Sequence, residues 1–241
     1  MLNGIRIIEI EGLGPTPFAG MLFSDLGAEV TVIHRKDESA FSNQKNILDR
    51  GKHSIELNLK DPEDLVVAKK LIIRSDAVIE GFRPGVMEKL GLGPKEFSDN
   101  PSLVYGRMTG WGQDGPRSKQ AGHDLNYIGL SGALWYASHP NTPPFTPPAL
   151  VGDVGGGALY LVIGVLSAIL NAKESGKGSI VDAAIVDGSA HMMNLFMSLQ
   201  NTGMLSEKRG KSILDGPPWS RCYRTLDDLW ISVQCIEPKF Y

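Results

Sequence analysis

The sequence predicts an α/β protein built on a parallel sheet, with a second domain that begins near its end. Short runs rich in β-branched residues alternate with helical patterns through the first 185 residues, and this alternation is typical of βαβ units and a parallel sheet. Two strand-like runs at 221–225 and 230–235 instead predict a hairpin. We therefore expect a large domain at 1–185, a helix and linker at 186–220, and an incomplete small domain at 221–241.

The first βαβ unit lies at the N-terminus. Residues 5–10 and 29–33 form strand patterns, and residues 18–26 between them have helical spacing up to Gly27. Gly12 and Gly14 fit a dinucleotide fingerprint, but Pro17 occupies its third glycine position. The second strand ends at His34-Arg35 rather than at an acidic residue that would hold a ribose. Arg35 instead suits a phosphate, as in an NADP site or in a phosphorylated nucleotide such as coenzyme A.

The remaining elements follow the same alternation. Asp61 and Pro62 are typical N-cap and N1 residues and begin a predicted helix. Beyond a polar loop at 37–51, we expect strands at 54–59, 77–80, 103–109 and 179–183, a short helix at 86–90, and helices at 155–172 and 186–200. Thr202 to Gly216 is polar and contains glycine, which predicts a linker. Gly156 and Gly164 would admit the close packing of another element.

Composition excludes several classes of protein. The 241 residues are 42% hydrophobic and 21% charged with a net charge of −3, which gives no general electrostatic case for nucleic acid or membrane. Cys222 and Cys235 form neither a metal-ligand pattern nor a disulfide framework, so we expect no metal. The apolar run at 158–170 is shorter than the ~20 residues that span a bilayer. The N-terminus has no targeting pattern, and we expect a cytoplasmic protein.

Basic residues lie at or just past the ends of several predicted strands: Arg35, Lys60, Arg83 and Lys89. Ligands of open α/β sheets bind outside the carboxyl ends of the strands. Basic residues collected there would bind phosphate and diphosphate groups. Four solvated surface charges are the alternative, and the pattern alone leaves both interpretations open.

Two glycine-flanked motifs, residues 121–127 and 151–157, carry the candidate chemistry. Each places an ionisable residue, His123 or Asp153, directly after a glycine at a predicted helix start. Such a pair suits proton abstraction next to a carbonyl, with backbone N–H groups stabilising the enolate oxygen. Asp153 could alternatively be a nucleophile, or Asp153 and Asp124 could be ordinary helix caps. Burial would raise the Asp153 pKa and a helix N-terminus would lower it, so the sequence leaves the direction open.

Five stretches resemble the family III coenzyme A transferases, CaiB/BaiF-type proteins, and within them the α-methylacyl-CoA racemase branch. They are Val-Ile-Glu-Gly-Phe-Arg-Pro-Gly (78–85), Arg-Met-Thr-Gly-Trp-Gly-Gln (107–113), Ala-Gly-His-Asp-Leu-Asn-Tyr (121–127), Val-Gly-Asp-Val-Gly-Gly-Gly (151–157) and Ile-Glu-Pro-Lys-Phe-Tyr (236–241). The resemblance implies a Rossmann-like large domain, a smaller α+β domain and an interlocked homodimer. Family members continue well past Tyr241, so we expect the chain to be C-terminally truncated.

The resemblance also implies roles for individual residues. His123 resembles the base for the (S) substrate, Asp153 its counterpart on the opposite face, and Glu237 the residue that positions the histidine. The implied coenzyme A contacts are Arg35, Leu57, Asn58, Leu59, Lys60, Gly81, Phe82, Arg83, Lys89, Gly122, Asp124, Leu125, Asn126 and Tyr127. The implied reaction interconverts (R)- and (S)-2-methylacyl-CoA thioesters. It needs no cofactor, because coenzyme A is part of the substrate and the thioester acidifies the α-carbon.

Two alternatives stay beside the racemase. Transferases of this family use the aspartate as a nucleophile and generally lack the histidine, so the intact Gly122-His123-Asp124 favours the racemase. The third hypothesis is a truncated, non-catalytic fragment that binds acyl-CoA. In a eukaryote the resemblance would place the protein in peroxisomes or mitochondria.

Overall fold

The computed structural model describes residues 1–36 and 46–240. Six strands form one parallel sheet in the order β3-β2-β1-β4-β5-β6, which is the Rossmann strand order. The strands are β1 (Arg6–Ile10), β2 (Glu29–His34), β3 (His53–Glu56), β4 (Ala77–Glu80), β5 (Val104–Thr109) and β6 (Ile180–Ala184). The predicted α/β fold with a Rossmann-like parallel sheet is therefore confirmed.

Helices connect these strands and continue beyond them. They are α1 (Pro15–Asp25), α2 (Pro62–Ile73), α3 (Val86–Lys89), α4 (Asp124–Leu130), α5 (Leu159–Ser175), α6 (Ile185–Met192) and α7 (Asn194–Met197). A π-helical segment, Leu150–Ala158, runs directly into α5. Short 3-10 helices lie at Ile47–Asp49, Pro94–Phe97, Ala133–Tyr136, Gln200–Thr202 and Pro238–Phe240.

Two hydrophobic cores cover the two faces of the sheet. On one face, Phe23 of α1 and Leu161 and Val165 of α5 pack with the strands. On the other face, Ile72 of α2 and Phe97 pack against the opposite side chains of the same strands. Helices on both faces leave the carboxyl edge of the sheet as the open edge, where ligands of such folds bind.

The start of α2 agrees with the sequence prediction. Asp61 is its N-cap, and the Asp61 carboxylate accepts the N–H groups of Glu63 at 2.9 Å and Asp64 at 3.3 Å. Pro62 occupies the first helical position, where a missing N–H costs nothing. The preceding strand is shorter than predicted and ends at Glu56. Beyond Glu56, the Leu57 N–H still donates to the His34 carbonyl of β2 at 2.9 Å, and the next N–H, of Asn58, donates to the Asp64 carboxylate at 2.8 Å.

The helix that carries Asp153 differs from its prediction. It begins at Leu150 rather than at residue 155, so Asp153 lies inside the π-helical segment and is not its N-cap. The prediction was wrong because glycines were treated as a helix start, although here they are helical residues. The continuous helix Leu150–Ser175 is long and apolar enough, by length and composition alone, to cross a membrane. The length of the apolar segment, estimated from the run 158–170, was therefore too short. Residues of α5 nevertheless pack on the sheet in the first hydrophobic core.

The C-terminal part contains a two-stranded antiparallel hairpin, β7 (Ser220–Arg224) and β8 (Trp230–Gln234). The predicted hairpin is confirmed, with Asp228 in its turn at a φ of 64°. The helix predicted at 186–200 is instead divided into α6 and α7, which are separated by Met193. Most of the loop predicted at 37–51 lies outside the described residues, and the domain boundaries at 185 and 220 stay predictions.

Candidate active site

A cleft of about 410 Å³ opens at the carboxyl edge of the sheet, beside the crossover between β1 and β4. Its lining comes from six separate stretches of the sequence: 13–16, 81–84, 108–111, 118–127, Asp153 and Ile185. Among the predicted site residues, it is lined by Gly81, Phe82, Arg83, Gly122, His123, Tyr127 and Asp153. The fold therefore brings His123 and Asp153 into one cavity, as the sequence motifs led us to expect.

His123 is the N-cap residue of α4. Its backbone N–H donates to Asn126 Oδ1 at 3.0 Å, which closes the first turn of the helix and fixes the entry of the chain. The imidazole lies exposed at the cleft. It can therefore reach a bound ligand for proton transfer.

Asp124 joins the two motifs. Its side chain is only 7% exposed, and Oδ1 accepts the N–H groups of Gly152 at 2.8 Å and Asp153 at 2.9 Å. A side chain on Gly152 would collide with this carboxylate. The Asp124 side chain therefore connects α4 to the π-helical segment by hydrogen bonds. Asp124 does not line the cleft, and its predicted contact with coenzyme A stays a prediction.

The Asp153 carboxyl is partly buried in the wall of the cleft. Burial raises the Asp153 pKa above its usual value, and the negative charge of Asp124 raises it further, while His123 opposes the shift. Gly14 lines the same cleft, and a Cβ added to it would lie 3.7 Å from Asp153 Oδ2. Gly14 has a φ of 67°, so this turn favours glycine and leaves space in front of the carboxyl. A raised pKa suits a carboxyl that must exchange a proton.

Tyr127 and Trp111 support the turn before His123. The Tyr127 hydroxyl donates to the Gly122 carbonyl, and the two rings meet edge to face with centroids 4.7 Å apart. A side chain on Gly110 or Gly122 would overlap the Tyr127 ring. Burial, followed by the charge of Asp153, raises the Tyr127 pKa, and Arg83 opposes that shift. Tyr127 is therefore a neutral donor beside the candidate acid/base pair.

A second cavity of about 570 Å³ adjoins the cleft, and both share Leu13, Gly14, Gly81 and Phe82. Arg35 lines this second cavity. Its backbone N–H donates to Glu11 Oε2 at 2.9 Å, and Glu11 Oε1 lies 3.3 Å from His34 Nδ1. The two adjoining cavities form a continuous surface with a basic residue at one end and the acid/base pair at the other.

Other predicted contacts lie away from both cavities. Leu57 is buried in the second core, Leu59 packs against that core, and Asn58 caps a local turn by accepting the Lys60 N–H at 3.1 Å. The remaining residues outside the linings are Lys60, Lys89, Leu125 and Asn126, all exposed. Within this chain the structure does not bring them to the ligand surface, and their roles stay predictions.

Glu237 is also separate from the cleft. It is exposed next to the last 3-10 helix and does not line the cavity that holds His123. Within residues 1–36 and 46–240, no hydrogen bond or ion pair joins Glu237 to His123. Its positioning role therefore stays a prediction.

Sequence reasoning missed Glu11 and Glu80, whose carboxylates accept the N–H groups of Arg35 and Phe82. The alternative that Asp124 caps its helix was wrong, because His123 is the N-cap and Asp124 accepts N–H groups from the other motif. A usable signal existed for Glu80, because an acidic residue closing a buried strand needs a partner inside the fold. Among the described residues, no cluster of three or more His, Cys, Asp or Glu could hold a metal ion. The groups that the cleft does offer suit acid/base or nucleophilic chemistry on a bound carbonyl compound.

Comparison with known proteins gives the family and several relatives. The sequence model described as CoA-transferase family III matches residues 2–241. α-Methylacyl-CoA racemase of Mus musculus is 41% identical over 243 residues, covering 100% of this chain and 63% of that protein. Succinyl-CoA–D-citramalate CoA-transferase of Chloroflexus aurantiacus is 30% identical, covering 96% of this chain and 61% of that protein. The chain spans less than two thirds of the length of these curated relatives.

The fold is also found in solved structures. A CAIB/BAIF family protein from Brucella suis superposes with a TM-score of 0.83 at 26% identity, covering 97% of this chain and 66% of that chain. The protein Rv3272 from Mycobacterium tuberculosis superposes with a TM-score of 0.80 at 28% identity, covering 99% of this chain and 67% of that chain. These likenesses agree with the family match over nearly the whole length of the chain.

Proposed function

Because the chain belongs to CoA-transferase family III, we propose that it binds an acyl-CoA thioester in the cleft and interconverts (R)- and (S)-2-methylacyl-CoA. The observation that carries this proposal is the presence of His123 and Asp153 in one cavity, each supplied by a different motif. The racemases among the relatives, at 41% and 39% identity, support the same activity.

The two adjoining cavities suit the two parts of such a substrate. The cavity with Arg35 would hold the phosphorylated nucleotide, because a guanidinium binds phosphate in a bidentate manner. The cleft with His123 and Asp153 would hold the thioester and its α-carbon. The acyl-CoA would then pass between the turn at Leu13-Gly14 and the loop at Gly81-Phe82, which line both cavities.

In the proposed reaction, one member of the pair removes the α-proton and the other returns a proton to the opposite face. His123 serves as the base for the (S) thioester and Asp153 for the (R) thioester. The Asn126 N–H already donates to the His123 carbonyl, whereas the N–H groups of Asp124 and Leu125 lie too early in α4 for an intrahelical partner. These two N–H groups would stabilise the enolate oxygen. The thioester itself acidifies the carbon, so we propose no additional cofactor.

Glu237 enters this proposal through a second copy of the chain. It is exposed and lies away from the cleft of its own chain. In an interlocked homodimer, Glu237 of one copy would orient His123 of the other. This arrangement would complete the acid/base site without a change in the fold described above.

A CoA-transferase is the second candidate. A carboxylate in the cleft wall, as at Asp153, would attack the thioester carbonyl to form an acyl anhydride, with cleavage of the C–S bond and release of the coenzyme A thiolate. A transferase is among the relatives. The exposed imidazole of His123 in the same cleft favours the racemase, because a carboxylate nucleophile needs no second base opposite it.

Deuterium exchange at the α-carbon tests the proposal. We expect the protein to exchange the α-proton of both (R)- and (S)-2-methyldecanoyl-CoA in heavy water, as followed by NMR. Asp153→Ala should slow exchange of the (R) thioester and His123→Ala that of the (S) thioester, by about 10²-fold or more, because general acid/base groups contribute about 10²–10⁴-fold. His139→Ala, an exposed histidine away from the cleft, is the matched control.

Three other outcomes would contradict the proposal. Exchange that survives in the double variant rules out the two-base mechanism. No exchange by the unmodified chain, with transfer of coenzyme A to an added carboxylic acid, indicates the transferase. Binding of the thioester with neither reaction indicates a non-catalytic binding fragment.

A further inference from the structure

We propose that Glu80, held by Arg107, is a positioning residue that fixes the loop Gly81-Phe82-Arg83 and thereby sets the affinity of the site for the coenzyme A part of the substrate. This inference rests on the proposed function. It concerns two side chains, neither of which lines a cavity with Arg83 or His123, so they would act through the loop and not by contact with the ligand.

Glu80 is the last residue of β4 and is only 1% exposed. Both of its carboxylate oxygens have a partner. Oε2 accepts the backbone N–H of Phe82 at 2.7 Å, and Oε1 accepts Arg107 Nε at 3.0 Å. The side chain therefore folds back over the end of its own strand and binds the loop at its second residue.

Arg107 extends this network to the far end of the loop. It lies on β5 directly beside Glu80 in the strand register and is 7% exposed. Its two terminal nitrogens donate to the Glu88 carboxylate on α3 at 2.8 and 3.0 Å. The loop between β4 and α3 is thus tied at its start by Glu80 and past its end by Glu88, with one guanidinium joining the two carboxylates.

The position of this loop matters because Gly81 and Phe82 line both cavities. The Thr16 hydroxyl of α1 approaches Gly81 so closely that any side chain there would collide with it. Helix α1 therefore limits movement of the loop on one side, and Glu80 limits it on the other. A loop freed from Glu80 would have to be ordered by the ligand, and that ordering costs binding free energy.

A buried network of this kind is poorly explained by stability alone. Replacing a buried ion pair with apolar residues of similar volume is often neutral or stabilising. Here one oxygen of the Glu80 carboxylate accepts the backbone N–H of Phe82, a residue that lines both cavities. An ion pair that only stabilised the fold would not need this bond. Tyr105 on the same strand holds the segment that follows α3, since its hydroxyl donates to the Leu92 carbonyl at 2.7 Å and its ring lies beneath Arg107.

The test is Glu80→Gln, with Glu96→Gln as the matched control. Glutamine retains one oxygen, so it cannot take the place of both carboxylate oxygens that bind Phe82 and Arg107, whereas Glu96 is an exposed glutamate that bonds to Lys69 outside this network. Dissociation constants of coenzyme A itself are measured by titration calorimetry on the full chain, with KM and kcat for α-proton exchange. We expect Glu80→Gln to raise Kd and KM about tenfold or more, as for loss of a hydrogen bond to a charged group, with kcat changed less than about threefold.

A merely structural role predicts the opposite pattern. It would lower the active fraction, and hence kcat and the number of binding sites, while Kd and KM stay unchanged, and that result would overturn the proposal. Arg107→Lys provides a second variant if Glu80→Gln does not fold, because one ammonium cannot join Glu80 to Glu88, and it should also raise Kd. If Glu80→Gln and Arg107→Lys both bind coenzyme A as tightly as the unmodified chain does, this inference alone is overturned. No binding by the unmodified chain overturns the proposed function and the inference with it.

Discussion

The Asp124 carboxylate shows how one side chain can set both the position and the proton affinity of another. It holds the backbone N–H of Asp153 at 2.9 Å, and its negative charge adds to burial in raising the Asp153 pKa. The sequence left the direction of that shift open, because burial and a helix N-terminus act in opposite senses. The structure resolves it, since Asp153 lies three residues inside its helix and beside a second carboxylate.

We predict that Asp124→Asn shifts the pH dependence of exchange. An asparagine Oδ1 can still accept both N–H groups, but its charge is lost, so the Asp153 pKa should fall. Exchange of the (R) thioester requires ionised Asp153, and its acidic limb should therefore move to lower pH. The measurement is the rate of exchange against pH, with Asp114→Asn, an exposed change, as control. An acidic limb that does not move would show that Asp124 has no electrostatic effect on Asp153.

Among the elements, α6 and the π-helical segment cross so closely that there is no space for a side chain at their glycines. A side chain on Gly188 of α6 would overlap the Gly156 carbonyl, and one on Gly156 would overlap Ser189. The sequence predicted close packing at Gly156 and Gly164, and this is confirmed, since Gly164 lies against Val181. It did not identify the partner of Gly156, because spacing along a chain does not reveal which helix crosses it.

We predict that Gly188→Ala destabilises the fold by about 3 kcal/mol, the upper part of the range of about 1–3 kcal/mol that is typical of overpacking, because the added Cβ would meet backbone. The measurement is the free energy of unfolding in urea. Gly129→Ala, at an exposed helical glycine of α4 with its nearest neighbour 3.8 Å from the added Cβ, should be neutral or slightly stabilising. Equal effects of the two changes would contradict the close crossing of α6 and the π-helical segment.

For the whole molecule, the sequence predicted most of the strands, their parallel arrangement and the edge at which the site lies. The hydrophobic pattern and the capping residues were enough to predict β1, β4 and the start of α2, because each of these features depends on neighbouring residues in the sequence. The positions of Lys60 and Lys89 were not predictable in this way. Lys60 follows the turn at Asn58, Lys89 is the last residue of α3, and neither lines the two cavities. Which residues line a cavity depends on tertiary contacts as well as on where a strand ends.

The stability of the whole molecule should depend on pH through Glu80. Burial raises the Glu80 pKa from 4.5 to about 7, although the Phe82 N–H and Arg107 oppose the shift. Between these values the folded state binds more protons than the unfolded state, so stability falls as pH rises, by up to about 1.4 kcal/mol per pH unit. The contribution is full below about pH 4.5 and is lost above about pH 7. Unfolding in urea from pH 5 to pH 8 should show a flatter dependence for Glu80→Gln, and identical slopes would refute the assignment.

The pairing of β5 with β6 has a consequence for the order in which the protein assembles. Tyr105 pairs with Ile180, so the chain between them must close into a long loop before this ladder can form, and such non-local contacts form slowly. His123 and Asp153 both lie inside that loop. The first five strands, β1 to β5, pair without closing this loop, so they could meet early in folding as a scaffold without activity. The acid/base pair would assemble only in the final step, when the last strand reaches the sheet.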